Sequence, residues 1–178
     1  RFTLPWTKGA GEPLERSHLP ADYAAASRGT GIARTVYMEV DVAADQKDDE
    51  AKWACALGPA VVGGDPAADG FAAYLDRIAH PNLKGVRQVL HGGWEAGYCT
   101  REPFVRGVRE LGRRHLSFDL CLRPLELADG AKLAALCPDT RFVLDHCGNG
   151  NVQADTAARD AWKRGMEAVA RQKNTVCK

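Results

Sequence analysis

Six short apolar, β-branched runs separated by stretches of helical periodicity are the feature that most narrows what this chain can fold into. The runs occupy 34–41 (RTVYMEVD), 60–64 (AVVGG), 84–91 (KGVRQVLH), 116–123 (LSFDLCLR), 141–147 (RFVLDHC) and 174–178 (NTVCK). Each is bounded by turn residues and reads as a buried strand. Helical stretches lie between them at 48–57, 67–79, 101–114, 125–136 and 156–173. In the third of these, Phe104, Val108 and Leu111 recur at i, i+4 and i+7 with arginines between, which marks a helix with one buried stripe.

Alternating strands and helices build βα units on a parallel sheet, either doubly wound or closed into a barrel. No GxGxxG follows any strand, so the dinucleotide-binding version lacks its main signature. The expected class is α/β, and the expected fold a (β/α)₈ TIM barrel. Eight such units need about 250 residues, and this chain has 178. Residues 1–178 therefore read as a single partial TIM-barrel domain, an interior slice of about six βα units with the first and eighth strands absent. The start at Arg1 without an initiator Met and the stop at Lys178 inside an apolar run agree with an excerpt from a longer protein. The connection in 54–64 (ACALGPAVVGG) looks short for a helix-to-strand passage.

Charge and composition narrow the function classes. Lys and Arg total 24 against 23 Asp and Glu, a formal charge of +1, which supplies no electrostatic footprint for nucleic acid or an acidic membrane. The expected partner is a small-molecule substrate, with no nucleic acid and no membrane; homo-oligomerisation stays open. No apolar run approaches the ~20 residues that span a bilayer, and the opening RFTLPWTKGAGEP has no signal-peptide apolar region, so a cytoplasmic location is expected. The six cysteines form no CxxC pair, and Cys121, Cys147 and Cys177 are expected as buried thiols.

In a parallel barrel the chemistry sits at the C-terminal ends of the strands. His146 ends its run, on the parity of Phe142 and Leu144 and opposite to Asp145, and is the candidate catalytic residue and metal ligand. Arg87 lies within an apolar strand and cannot shed its charge, so it must meet a structural carboxylate or a substrate oxygen. Glu39 and Asp119 are carboxylates inside apolar strands that likewise require partners. His91, beside Gly92 and Gly93, opens a loop at a strand end. Arg87, His91, Glu39 and Asp119 are the candidate substrate-binding residues, alternatives being an ion-pair layer that only closes the barrel and an exposed loop histidine. The GGW at 92–94 and YCT at 98–100 read as a loop over the barrel mouth.

The segments LPWTKG (4–9), KGVRQVL (84–90), LSFDLCLRP (116–124), FVLDHCGN (142–149) and NTVCK (174–178) together resemble the lactonase branch of the amidohydrolase superfamily. That branch comprises barrel hydrolases that include sugar-lactone hydrolases and 2-pyrone-4,6-dicarboxylate lactonase. The resemblance implies that His146 is an active-site residue and Arg87 a substrate contact. It also implies one divalent metal, zinc or manganese, or none, since members of both kinds occur. The family's His-x-His pair and the aspartate of its GSDWP-like motif, the general base, have no counterpart in these 178 residues. The function so implied is a hydrolase that opens the ester of a small lactone. Its alternatives are an amidohydrolase-type decarboxylase of an aromatic or muconate acid and a non-catalytic ligand-binding barrel fragment.

Overall fold

The computed structural model describes residues 2–12 and 14–178; Arg1 and Pro13, both in the opening stretch read above, lie outside them. Six strands, β1 (Tyr37–Met38), β2 (Ala60–Gly63), β3 (Leu83–Val89), β4 (Ser117–Cys121), β5 (Arg141–Leu144) and β6 (Thr175–Cys177), form one sheet in chain order. Every neighbouring pair is parallel. A doubly wound sheet reverses its strand order at a switch point; this sheet never does. Winding in one direction with helices between strands is the arrangement of a partial (β/α)₈ barrel.

The helices follow the periodicity of the sequence: α2 (Lys47–Leu57), α3 (Phe71–Arg77), α4 (Glu102–Arg113), α5 (Leu127–Leu136) and a longer helix, Thr156–Ala170. One helix, α1 (Pro20–Ala26), precedes them without an apolar stripe, its first turn fixed by the Leu19 N–H donating to Asp22 Oδ2 at 2.7 Å. Between α2 and β2 only Gly58 and Pro59 intervene, so the connection is as short as it looks in the sequence.

Strand alternation sorts the sheet into two unlike faces. Val62, Val86, Phe118, Leu120, Phe142 and Leu144 are buried toward the helices, where they meet Phe104, Val108, Leu111, Leu127 and Leu133. Phe104, Phe118 and Phe142 stack edge to face at 5.5 and 6.3 Å, tying α4 to β4 and β5. Burial of each such ring is worth roughly 1.5–3 kcal/mol. On the opposite face, register aligns Arg87, Asp119, Val143 and Val176 in one row.

The strands stop earlier than the apolar runs, and this corrects two cysteines. Because β5 ends at Leu144 and β6 at the exposed edge of the sheet, Cys147 and Cys177 are exposed rather than buried; Cys121 is buried as expected. Among the described residues no helix is long and apolar enough to cross a membrane.

Candidate active site

Arg87 is the centre of a buried charge network at the C-terminal ends of the strands. Its Nε donates to Glu39 Oε1 (2.6 Å), its Nη2 to the Glu39 carbonyl (2.8 Å) and its Nη1 to Asp145 Oδ2 (3.2 Å). Lys178 Nζ donates to Asp119 Oδ2 (2.7 Å) and lies 3.0 Å from Asp145 Oδ1. Glu39, Asp119 and Asp145 are all at most 2% exposed. Three carboxylates therefore share two cations in a setting where an unpaired charge is expensive. Burial works against the Arg87 charge, but the Glu39 carboxylate beside it prevails and raises its pKa. Asp119 goes the other way: burial pushes its carboxyl above the usual range against the pull of Lys178. Its Oδ1 is buried with no hydrogen-bond partner among the described residues.

His146 is placed by an unusual piece of backbone. After Asp145, which is still extended, His146, Cys147, Gly148 and Asn149 all take positive φ, at 52°, 50°, 70° and 54°. A left-handed residue other than glycine costs roughly 1–2 kcal/mol, asparagine least. Hydrogen bonds hold the turn: the Gly148 N–H donates to the Asp145 carbonyl (2.8 Å) and the Cys147 N–H to that of Lys178 (2.9 Å). Trp162 Nε1 donates to the Cys147 carbonyl (2.9 Å) and Asn149 Nδ2 to that of Leu122 (2.8 Å). Strain over-determined in this way concentrates at functional sites.

The turn corrects the strand-parity expectation. Phe142 and Leu144 face the helices, and it is Asp145, not His146, that continues the axis-facing row to reach Arg87. His146 is exposed and swings over the strand end, where one donor atom each of Cys121, Asp145 and His146 falls within 4.8 Å of the others. A thiol, a carboxylate and an imidazole so gathered are a donor set suited to a borderline cation such as zinc. The surplus of carboxylates over cations favours positive charge there. Burial pushes the Cys121 thiol up to about 11, opposed by Arg87, so it is protonated at neutral pH unless a cation displaces the proton.

Glu39, Arg87 and Asp119 thus join one network and His146 borders it through Asp145. His91 is exposed in the loop after β3 and takes no part. The loop it opens folds down: Trp94 stacks on Tyr98 at 4.3 Å and donates to the Val89 carbonyl at 3.0 Å. Sequence reasoning missed Asp145, Lys178 and Cys121; a carboxylate following RFVL within the same apolar run was the signal for the first.

A family model for amidohydrolases matches residues 9–178. The chain is 25% identical to the uncharacterized protein y4mH of Sinorhizobium fredii (strain NBRC 101917 / NGR234), an alignment covering 98% of this chain and 66% of that protein. An amidohydrolase from Burkholderia multivorans with bound zinc superposes with a TM-score of 0.86 at 20% identity, covering 98% of this chain and 63% of that one. Amidohydrolase 2 from Bifidobacterium longum subsp. infantis gives 0.74 at 25% identity, covering 99% and 66%. A candidate 2-pyrone-4,6-dicarboxylic acid hydrolase from Pseudomonas putida gives 0.60 at 13% identity, covering 99% and 78%. The chain therefore spans just under two thirds of the first of these relatives.

Proposed function

Because this chain belongs to the amidohydrolase family, we propose that the protein containing it is a hydrolase that opens the ester ring of a small lactone, of sugar or pyrone type. The observation that carries the reading is the left-handed turn that sets His146 over the buried Arg87–Asp145 pair, to which the half-exposed Lys178 adds a second cation. A fixed donor beside fixed charges at the strand ends is suited to stabilising the oxyanion of ester opening.

In this reading His146 polarises the lactone carbonyl and stabilises the oxyanion as water adds, either directly, by donating a hydrogen bond, or as a ligand of a metal ion. Arg87 uses three of its five N–H donors on Glu39 and Asp145, which leaves two for a substrate carboxylate or hydroxyl. Its second task is to hold Asp145 in place. Asp119 and Lys178 set the charge at the floor of the site. The base that deprotonates water is assigned to an aspartate contributed from outside these 178 residues. Cys121, Asp145 and His146 would hold a divalent cation, for which zinc in the Burkholderia relative is the precedent. Such an ion supplies Lewis acidity to a carbonyl and a bound water titrating near ~7.

The test is acid release by the full-length protein from a panel of aldonolactones and pyrone lactones, with and without chelator. Turnover of at least one lactone is expected. Failure on all of them, with CO₂ released from an aromatic or muconate acid, would replace this reading with a decarboxylase.

A further inference from the structure

Glu39 holds Arg87 twice, through its carboxylate and through its backbone carbonyl, and the second hold is itself fixed from behind. The carbonyl that accepts from Arg87 Nη2 (2.8 Å) and the N–H of Val40 belong to one peptide group. That N–H donates to Glu50 Oε1 at 3.1 Å, and the Tyr37 hydroxyl donates to the same oxygen at 2.9 Å. A peptide group is planar and in its usual trans form points N–H and C=O in opposite directions. An acceptor that fixes the N–H therefore fixes where the carbonyl aims. Strand pairing supplies little support at this point, because β1 pairs with β2 over only Tyr37 and Met38. The Glu39 N–H still reaches the Val61 carbonyl (2.9 Å), but beyond it the chain turns, with Asp41 at a φ of 50° and its N–H donating back to Glu39 Oε2 (2.6 Å). At Val40 a side chain from the first turn of α2, itself 1% exposed, takes over from the sheet.

We infer that Glu50 is a positioning residue for Arg87, acting through the Glu39–Val40 peptide. A carboxyl oxygen on the N–H polarises the peptide and strengthens its carbonyl as an acceptor. The guanidinium is a rigid planar fork, so holding Nε on the Glu39 carboxylate and Nη2 on the Glu39 carbonyl sets the direction of the donors left for a substrate. Glu50 thus aims a group from which it is separated by a whole peptide. The consequence for substrate binding rests on the lactone reading above; the hold on Arg87 does not.

The experiment records side-chain ¹⁵N–¹H spectra of the full-length protein, in which the Arg87 Nε–H is the signal lost in Arg87→Lys. Glu50→Ala should displace that signal, and Glu50→Gln, which keeps the acceptor, should return it to the wild-type position. The Nε–H of Arg123, bonded to Glu126 at 2.8 Å, should stay in place in both variants, which a general loosening of the fold would not allow. Glu50→Leu fills the volume without an acceptor and carries the same expectation if Glu50→Ala does not fold. An Arg87 signal that stays put without the acceptor, that moves equally in Glu50→Gln, or that moves only together with Arg123 overturns the proposal. On a lactone that the enzyme turns over, Glu50→Ala should raise KM by up to ~100-fold with a smaller change in kcat, and Glu50→Gln should reverse it. A displaced signal with an unchanged KM upholds the hold on Arg87 and removes Arg87 from substrate contact, a failure of the functional reading alone.

Discussion

Asp145 and His146 are adjacent, and backbone rather than side-chain chemistry divides their roles: extended φ sends one into the network and positive φ lifts the other over it. His146→Ala in the full-length protein should therefore cost at least ~100-fold in kcat, comparable with loss of an oxyanion donor, with an unchanged circular dichroism spectrum. Arg87→Ala is a different lesion. It strips the buried Glu39 carboxylate of its cation and leaves Asp145 with Lys178 alone, and breaking a buried pair in this way costs about 3–5 kcal/mol, which urea unfolding would register before any kinetic assay. Glu50 carries a pH signature of its own. Its Oε1 accepts from the Tyr37 hydroxyl (2.9 Å) and the Val40 N–H (3.1 Å), while its Oε2 is buried without a hydrogen-bond partner among the described residues. Burial raises its pKa above the 4.5 of the unfolded chain, so the folded state binds the proton more tightly. Its contribution then favours folding below the unfolded value and is lost as pH rises toward the folded one. Glu50→Gln keeps the Oε1 acceptor and removes the buried charge. It should melt higher than wild type at pH 7 and show a flatter dependence on pH above 4.5 in thermal scans.

At the scale of elements, α4 is held by a contact that admits no side chain. A Cβ on Gly107 would sit 2.0 Å from the Pro66 carbonyl oxygen, so the helix must back away from the β2–α3 loop to accept one. Gly107→Ala should cost roughly 1–3 kcal/mol or more, whereas Arg106→Ala, which removes only an exposed pair with Glu102, should cost under ~0.5 kcal/mol; chemical denaturation of both variants checks the contrast. The stripe of Phe104, Val108 and Leu111 that made α4 readable is the stripe it buries. Helix α1 was not readable because none of its seven residues is buried, which leaves no apolar periodicity to detect. Arg87, Glu39 and Asp119 could be read as a group because a charge inside an apolar strand has to find a counter-charge. The swap between Asp145 and His146 could not, since side-chain alternation holds only while the backbone stays extended, and in DHCGN only the glycine and the asparagine favour the left-handed region that His146 and Cys147 also adopt. Lys178 follows an apolar run as a single charge, and single charges after strands are too common to carry information.

For the molecule as a whole, β1 and β6 are the two edges of the sheet, and Leu19, Tyr23, Ile32, Val36, Trp53 and Leu57 leave apolar surface exposed beside β1. Open parallel edges with apolar flanks invite self-association. The 178 residues expressed alone should elute as aggregate and bind a hydrophobic dye, and a soluble monomer with a cooperative melt would contradict this. The one-directional winding of the sheet also bears on how the chain is made. Each strand pairs with the strand that left the ribosome just before it, so folding can advance vectorially, a unit emerging every few seconds at ~5–20 residues per second. The charges do not arrive in the same rhythm. Arg87 finds Glu39 already synthesised 48 residues earlier, but Asp119 waits another 59 residues for Lys178. Through that interval Asp119 has only Arg87, its neighbour in register and already engaged by Glu39, to offset its charge, so the axis face gains its second cation last, when β6 has been translated.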